Sequence, residues 1–439
     1  MSQQPLKRPE PAFRHVYASL RVRNYRLFWI SQLISLTGTW MQVLAQSWLV
    51  LSLTHSPQAL GIVTMLQFLP LTLLVLFAGV IADRVPKRRF LVFTQSAAML
   101  QALVLGILVT AGVVHLWHIY ILAALLGLNN SFDNPTRQAF VPEMVGRDLV
   151  PNAVALNSAL FNAARVVGPA IAGITIATIG IDGTFFLNAA SFLPVIGALL
   201  LMRTRELQPV SRAPAQADVL GQVREGLQFA FGSRRVLLII ILLAVIGTFG
   251  YNFTVALPLL AQFVLHVGSV GFGVMTSVLG IGSLAAALTM AYTHRATERQ
   301  LLLGAGAFSL ILILVGLSHW FVLSLFLLAV LGYAGITFTA TANTRMQLSA
   351  PDHLRGRVMS LYVLLFVGTT PLGSFLLGQT ADGLGVQTAI VLFGAISAIG
   401  VALGAIYGGC GKPPTVATPV RDVEADAPDA ALPEEKVYE

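Results

Sequence analysis

The stretch Asn129–Gly173, NNSFDNPTRQAFVPEMVGRDLVPNAVALNSALFNAARVVGPAIAG, decides how the rest of the chain is interpreted. It ends one apolar run, crosses a polar loop, and begins a second apolar run that holds a single charge, Arg165. Sliding the sequence forward by 205 residues aligns Leu149, Ala153, Leu156, Phe161, Gly168, Gly173 and Gly180 with Leu354, Val358, Leu361, Phe366, Gly373, Gly378 and Gly385. The chain therefore looks duplicated, and an internal two-fold repeat in an apolar protein is typical of transporters.

The composition places this duplicated chain in a membrane. Hydrophobic residues make up 56% of its 439 residues and charged residues 10%, whereas about a quarter of the residues of soluble domains are charged. Apolar segments of spanning length lie near 25–52, 58–82, 90–111, 117–135, 152–179, 184–202, 236–265, 271–292, 301–317, 320–341, 357–380 and 386–407. We therefore predict an all-α integral membrane protein whose twelve transmembrane helices form two pseudo-symmetric six-helix bundles.

The spacing of these segments predicts the organisation of the chain. We expect a basic cytoplasmic N-terminal segment at 1–23, an N-terminal six-helix bundle at 24–203, a cytoplasmic linker at 204–235, a C-terminal six-helix bundle at 236–407 and a disordered acidic tail at 408–439. An amphipathic stretch at 218–231 predicts a surface helix within the linker. With one cysteine, Cys410, and no Cys/His cluster of metal-ligand spacing, we expect no disulfide within the chain, no metal and no cofactor.

The basic residues predict the orientation in the lipid bilayer. Every Lys and Arg except Arg165 falls on the same side of the twelve segments as the two termini, and the loops of the opposite side hold none. By the positive-inside rule, both termini are then cytoplasmic. The formal net charge of +8 thus reflects topology signals at the ends of apolar runs, and we expect no nucleic-acid partner.

The segment that leaves the second span reads GVIADRVPKRR from Gly79 to Arg89. It resembles the loop between spans 2 and 3 of the major facilitator superfamily, although Pro86 replaces the second glycine of that pattern. A small residue lets a neighbouring helix approach, and an acid at a helix end can cap a facing helix and pair with arginines. The resemblance implies a conformational latch made of Gly79, Asp83, Arg84 and Arg88, as opposed to a plain basic loop.

A second motif, in the fifth span, favours export over uptake. Residues Ala164–Gly173 resemble a glycine- and proline-rich signature of facilitator-type exporters, with Gly168, Pro169 and Gly173 as a helix-packing motif. Over residues 20 to 408 the chain is similar to the branch that contains bacterial enterobactin-type siderophore exporters, macrolide efflux proteins and lysophospholipid transporters. This resemblance implies a monomeric, proton-coupled exporter of an amphipathic siderophore or drug, acting by alternating access in the bacterial cytoplasmic (inner) membrane.

Other functions remain open at this stage. The chain also resembles transporters that flip or take up lysophospholipids or metabolites. A membrane-embedded enzyme would need clustered His, Asp or Glu or an activated nucleophile near one membrane face, and no such constellation occurs in the sequence. A sensor that transports nothing would need an output domain, which the short loops do not offer. We therefore expect a transporter and no catalytic residue.

Arg165 supplies the argument for a substrate cavity. It lies about halfway through the fifth span, where an isolated cation costs at least about 2.5–3.5 kcal/mol, and no Asp or Glu lies at its depth. We expect it to face a wet cavity and to meet an anionic group of the substrate. The cavity candidates are Arg165, Gln32, Thr37, Asn129, Asn162, Asn188 and Asn252. The alternative is a structural arginine that helix carbonyls and side-chain amides satisfy.

Asp133 is the proton-coupling candidate. It lies about five residues inside the cytoplasmic end of the fourth span, where partial desolvation favours the protonated form of a carboxyl group. The same carboxylate lies four residues before Arg137 and could instead form an ion pair with it along the helix. The sequence leaves both interpretations open.

Overall fold

The protein is represented by a computed structural model, which describes residues 17–208, 225, 228–293, 296–351 and 354–409. The predictions for residues 1–16, for most of the linker, for Cys410 and for the acidic tail lie outside the described residues. Of the predicted surface helix at 218–231, only residue 225 and residues 228–231 are described, and they are helical.

The described residues form thirteen α-helices and no strand. We number the helices in chain order: α1 (Arg23–Thr54), α2 (Pro57–Arg84), α3 (Lys87–Thr110), α4 (Leu116–Val145), α5 (Val150–Leu201), α6 (Arg234–Phe249), α7 (Phe253–Leu259), α8 (Gly268–Thr293), α9 (Glu298–Leu317), α10 (Phe321–Ser349), α11 (Arg355–Phe366), α12 (Thr370–Leu384) and α13 (Val386–Gly409). A π-helical turn, Leu260–Val264, extends α7, and short 3₁₀ turns lie at Ala18–Arg21, Arg147–Leu149 and Thr204–Glu206.

Within these ranges, nine helical segments are long and apolar enough to cross a membrane. One of them, 147–201, contains two spans because Gly180 (φ 82°) interrupts α5 with a backbone conformation that L side chains rarely adopt. Two further helices, α1 with 32 residues and α4 with 30, have spanning length but carry many buried polar side chains. Together these segments make up the twelve predicted spans, and the predicted all-α membrane fold is confirmed.

The internal repeat is visible in the backbone. Gly180 ends the first arm of α5 with φ 82°, and its repeat partner Gly385 ends α12 with φ 86°. Gly168 packs against the backbone of α1, and its partner Gly373 packs against the backbone of α6. Equivalent glycines therefore fulfil equivalent roles, as a pseudo-two-fold arrangement requires.

The two ends of the molecule differ in how the halves meet. We call the end with residues 84–89, 146–149, 203–208 and 296–299 the basic face, and the end with residues 55–56, 111–115, 265–267, 318–320 and 385 the far face. Near the far face, α2 packs on α12 and α5 packs on α8. A methyl group added at Gly61 would lie 2.7 Å from the Ser374 carbonyl oxygen, and one added at Gly173 would lie 2.8 Å from that of Ser269. The halves are thus in backbone contact on this side.

Two spans of the second half are discontinuous. α6 and α7 are separated at 250–252, and α11 and α12 are separated at 367–369. The part of α5 that corresponds in the repeat to the break between α11 and α12 is continuous helix. Broken helices expose backbone polar groups at membrane depth, which is tolerated where they are buried in protein or line a cavity. Val367 and Gly368 line a cavity between the halves, as the next section describes.

Candidate functional site

Three cavities follow one another along α1 from the basic face toward the far face. We call them the vestibule, the polar cavity and the chamber, with volumes of about 500, 260 and 170 Å³. Phe28 and Gln32 of α1 line the vestibule, and Val43 and Ser47 line the chamber. The vestibule and the polar cavity share Phe161, and the polar cavity and the chamber share Trp40. The rings of these two residues meet edge to face with centroids 5.8 Å apart.

A buried ion pair lies where the vestibule and the polar cavity meet, because Arg137 lines both cavities and Asp133 lines the polar cavity. Arg137 pairs with Asp133, four residues earlier on α4, and Asp133 is 1% exposed. The Asp133 carboxylate also accepts hydrogen bonds from Thr94 Oγ1 at 2.6 Å and Gln95 Nε2 at 2.8 Å. Arg137 Nη1 donates to Gln32 Oε1 at 2.8 Å. Of the two sequence-based interpretations of Asp133, the structure contains the ion pair.

The polar cavity is lined by side-chain amides that bind one another. Gln42 donates to Gln101 at 2.7 Å, Asn188 donates to Gln42, and Gln46 donates to Gln67 at 3.4 Å. These bonds join α1 to α2, to α3 and to the second arm of α5. The buried amides therefore hold the first half together, and each bond satisfies a polar group that lipid would leave unpaired.

The chamber lies between the halves and holds Arg165. Its wall combines Trp40 of α1 and Arg165 of α5 with residues of the second half, among them Tyr251, Phe253 and Phe308. Arg165 Nη2 is buried and has no hydrogen-bond partner. No Asp or Glu is among the described residues that line the chamber, and no described carboxylate forms an ion pair with Arg165. Arg165 therefore lines a cavity that residues of both halves enclose.

The polar partners expected for Arg165 lie elsewhere. Gln32 binds Arg137, Asn188 binds Gln42, and the Thr37 hydroxyl donates to the Leu33 carbonyl of its own helix. Each of these groups is engaged by a donor or acceptor on its own helix or within the first half, and none of the three lines the chamber.

The remaining amide candidates are also dispersed. Asn162 donates to the Ser158 carbonyl one turn back along α5, and Asn252 donates to the Thr248 carbonyl and accepts a hydrogen bond from Ser374. Asn129 lines the polar cavity and is not among the residues of the chamber. The seven candidates thus do not form one cluster, and Arg165 is the one of them that lines the chamber.

The predicted latch is only partly described. Asp83 belongs to α2, but its side chain lies outside the described part of the structure. Arg84 is exposed at the end of this helix, and a methyl group added at Gly79 would meet no atom within 4 Å. No helix among the described residues therefore approaches Gly79 closely in this conformation.

The basic residues that follow Gly79 bind within the first half. Arg88 donates to two carbonyls at the end of α5, through Nε to Leu199 at 2.5 Å and through Nη2 to Leu200 at 2.9 Å. Lys87 Nζ lies 2.7 Å from Glu143 Oε1 of α4. A cation near a helix C-terminus is stabilised by the partial negative charge of the unpaired carbonyls, so Arg88 anchors α3 to the end of α5.

The small residues of the fifth span lie at two helix crossings. A methyl group added at Gly168 would lie 2.8 Å from the Thr37 carbonyl oxygen of α1, and one added at Gly273 of α8 would lie 2.5 Å from the Pro169 carbonyl oxygen. Gly173 faces the same crossing with α8. The motif thus packs α5 against its own half on one side and against the second half on the other.

The aromatic wall of the chamber was not predicted from the sequence. Trp40, Phe253 and Phe308 lie in apolar segments in which an aromatic residue facing a cavity looks like one that faces lipid or the core. The one signal was Gly250-Tyr251-Asn252, a small residue followed by two polar ones within an apolar span. This segment is the break between α6 and α7.

The fold and the row of cavities define a multi-pass membrane transporter built from two pseudo-symmetric halves. The family described as transmembrane secretion effector, a branch of the major facilitator superfamily, matches residues 15–435, and the chain belongs to this family. The predicted membership in the superfamily is confirmed.

Individual relatives are similar over most of their length. The chain is 26% identical to a staphyloferrin A transporter of Staphylococcus aureus, over 84% of this chain and 92% of the relative. It is 29% identical to the multidrug efflux pump Tap of Mycolicibacterium fortuitum, over 80% of this chain and 87% of the relative. Its fold is similar to the crystal structure of the nucleoside transporter NupG, with a TM-score of 0.70 and 12% identity over 88% of this chain and 99% of NupG.

Proposed function

We propose that the protein is a secondary active transporter that exports an amphipathic small molecule of the siderophore or drug type. The observation that carries the proposal is the row of cavities along α1, lined by both halves and bounded toward the far face by the glycine contacts of α2 with α12 and α5 with α8. A siderophore transporter and a multidrug efflux pump among the relatives support this substrate class.

The transport cycle follows alternating access. The two six-helix bundles, 24–203 and 236–407, rock about the chamber, and the segment 204–235 connects them in the chain. We assign the basic face to the cytoplasm of a bacterial cell, because cytoplasmic loops of membrane proteins carry the excess of Lys and Arg. The conformation with the halves in contact near the far face is then the inward-facing one. A single chain is the transporting unit.

The latch forms in the outward-facing conformation, in which the basic face is closed. Gly79 has open space beside it, so a helix of the second half has room to approach it when the basic face closes. Asp83 and Arg84 would then meet that helix, while Arg88 remains bound to the end of α5. The glycine contacts near the far face separate in the same step.

Proton coupling is assigned to Asp133. Protonation of its carboxyl group removes the negative charge that holds Arg137, and it leaves Thr94 and Gln95 as the neighbours of a neutral acid. Arg137 then becomes available to other partners in the vestibule. One proton and one rearranged arginine thus connect the proton gradient to the cavity that opens toward the basic face.

Lysophospholipid flipping and metabolite uptake are the alternative transport functions. The substrate cavities and the family membership are compatible with both, and the direction of transport separates them from export. The family and the relatives are transporters, and we propose no enzymatic activity for this chain.

Transport in inside-out membrane vesicles tests the proposal. We expect proton-gradient-driven accumulation of ethidium or of 2-naphthoate in vesicles that contain the parent protein, and its loss when an uncoupler is added. Asp133→Asn abolishes the dependence on the gradient, whereas the control Asp382→Asn, which alters an exposed acid bonded to Ser56 at the far face, retains it. Accumulation only in right-side-out vesicles would contradict export, and a gradient-dependent Asp133→Asn would remove Asp133 as the coupling site.

A further inference from the structure

The chamber contains a hydrogen-bond donor that no described residue satisfies. Arg165 Nη2 is buried without a partner, on a side chain whose charge persists at every physiological pH. In a membrane interior such a donor costs several kcal/mol unless water or a ligand meets it. The position therefore calls for an acceptor from outside the chain.

Tyr251 supplies a second polar group on the opposite wall. Its hydroxyl is buried and makes no hydrogen bond of ordinary geometry, and Tyr251 lines the same chamber as Arg165. The Thr339 hydroxyl is nearby but donates to the Gly335 carbonyl of its own helix at 3.1 Å. Arg165 comes from the first half and Tyr251 from the break in the second half, so a ligand held by both joins the two halves.

The Tyr251 ring is held in place. It stacks on Phe308 with centroids 5.0 Å apart and meets Phe366 and Phe253 at an angle, at 4.8 and 5.5 Å. Gly335 leaves the space for the hydroxyl, because a methyl group there would lie 2.6 Å from the Tyr251 oxygen. The donor is thus positioned by packing before any ligand binds.

Four other hydroxyls line the chamber; one is that of Thr254, and the other three are engaged within their own helices. The hydroxyls of Ser47, Thr276 and Ser283 donate to carbonyls of their own helices at 2.9, 3.0 and 2.9 Å. No carboxylate is among the described residues that line the chamber. One guanidinium group and one phenol hydroxyl, without an acid, are suited to a single anionic group such as a carboxylate.

The rest of the wall is suited to a flat apolar body. Trp40, Phe253 and Phe308 present rings to the chamber, and Leu257, Leu279 and Ile336 complete it with aliphatic groups. Aromatic rings in contact gain stability beyond the area that they bury, because their edges and faces carry opposite partial charges. The small volume of about 170 Å³ admits one such group at a time.

We propose that the chamber binds an aryl carboxylate, whose carboxylate accepts hydrogen bonds from Arg165 and Tyr251 while its ring packs against Trp40, Phe253 and Phe308. This inference rests on the proposed transport function and specifies the substrate class for the chamber. It makes Arg165 and Tyr251 binding residues and predicts selectivity for anionic over neutral aryl compounds.

Equilibrium binding to the purified full-length protein in detergent tests the proposal. We expect the parent to bind 2-naphthoate about ten- to hundredfold more tightly than the uncharged 2-naphthamide, and about two- to tenfold more tightly than cyclohexanecarboxylate. Equal affinity for the acid and the amide, or no binding of 2-naphthoate by the parent, overturns the anion site. Equal affinity for the aromatic and the alicyclic acid overturns the role of the rings.

Matched variants assign the two donors. Arg165→Gln is expected to weaken 2-naphthoate binding about ten- to hundredfold and Tyr251→Phe about two- to tenfold, with 2-naphthamide changed less than about twofold. The controls are Arg203→Gln, which removes an exposed cation paired with Glu206, and Tyr362→Phe, which removes a hydroxyl bonded to the Thr339 carbonyl outside the chamber. Unchanged 2-naphthoate binding by Arg165→Gln overturns the proposal.

Transport data distinguish this inference from the proposed function. If the parent accumulates ethidium in inside-out vesicles but does not bind 2-naphthoate, the proposed aryl carboxylate site is contradicted and the proposed export function is retained. If the parent binds 2-naphthoate through Arg165 but accumulates neither compound, the proposed site is supported and the proposed export function is contradicted.

Discussion

Arg137 and Arg165 both line cavities along α1, and their surroundings differ. Arg137 on α4 forms an ion pair with Asp133 and donates to Gln32. Arg165 on α5 has no described carboxylate beside it, and its Nη2 has no hydrogen-bond partner. Each guanidinium group has one buried nitrogen without a hydrogen-bond partner, Nε in Arg137 and Nη2 in Arg165. The difference is that Arg137 is held by a carboxylate and an amide, whereas no described carboxylate pairs with Arg165.

The difference begins in the helix on which each arginine lies. Residues four apart are neighbours on a helix surface, and the residue four positions before Arg137 is Asp133. The corresponding neighbours of Arg165 are Phe161 and Pro169, which offer no charge and no side-chain acceptor. An arginine with a built-in partner contributes to the fold, whereas one without a partner is available to a ligand.

The largest expected effect is the loss of the carboxylate that pairs with Arg137. Asp133→Leu leaves a partly buried cation without its counter-charge and should lower the free energy of unfolding by about 3–5 kcal/mol. The measurement is equilibrium unfolding of the purified protein in mixed detergent micelles. Asp133→Leu combined with Arg137→Leu removes both charges and should recover most of the loss. An unchanged unfolding curve for Asp133→Leu would mean that the pair does not stabilise the fold.

A smaller effect on the free energy of unfolding is expected when Gln32, the neutral partner of Arg137, loses its amide. Gln32→Leu removes the acceptor of a charged hydrogen bond and should lower the free energy of unfolding by about 1.5–3 kcal/mol in the same assay. Gln46→Leu on the same helix is the matched control, because its bond to Gln67 joins two neutral amides at 3.4 Å and should contribute about 0.5–1.5 kcal/mol. A larger loss for Gln46→Leu than for Gln32→Leu would mean that the bond between Gln46 and Gln67 stabilises the fold more than the bond between Arg137 and Gln32.

The smallest effect on stability is expected at the second arginine. Arg165→Gln removes a cation that has no ion pair to lose, so the free energy of unfolding should stay within about 1 kcal/mol of the parent or rise. The same unfolding assay measures it beside Arg137→Gln, which should be clearly destabilised because Asp133 then loses its counter-charge. A loss above about 2 kcal/mol for Arg165→Gln would favour the structural arginine and remove the contrast between the two positions.

The sequence was sufficient to predict most of the fold and part of the site. Segment length and hydropathy placed the helices, and the repeat of Gly168, Gly173 and Gly180 in the second half indicated two related bundles. The absence of an acid at the depth of Arg165 predicted a cavity beside it, and the spacing of Asp133 and Arg137 offered their ion pair as one of two alternatives. Each of these inferences depends on distance along one helix or on transfer from water to lipid, and both can be evaluated from the sequence.

The polar partners and the aromatic wall depended on contacts between helices. Gln32, Asn188 and Asn252 are single polar residues in apolar spans, and nothing in the sequence indicates that Gln32 meets Arg137 and Asn188 meets Gln42. Tyr251 and Phe308 belong to different helices of the second half, and their stacking places a hydroxyl in the chamber. Helical periodicity gives the face on which a residue lies but not the neighbour that this face meets.

The sequence by itself determined that this chain spans a membrane as a duplicated set of helices with one cation that lacks an acid at its own depth. Only the tertiary structure decided which of the polar side chains surround that cation, and it is Tyr251, across the boundary between the halves, that shares the chamber with Arg165. The physical reason is that lipid enforces helix formation and helix length locally, through backbone hydrogen bonds within each span. The pairing of faces depends on shape and packing among all the helices at once.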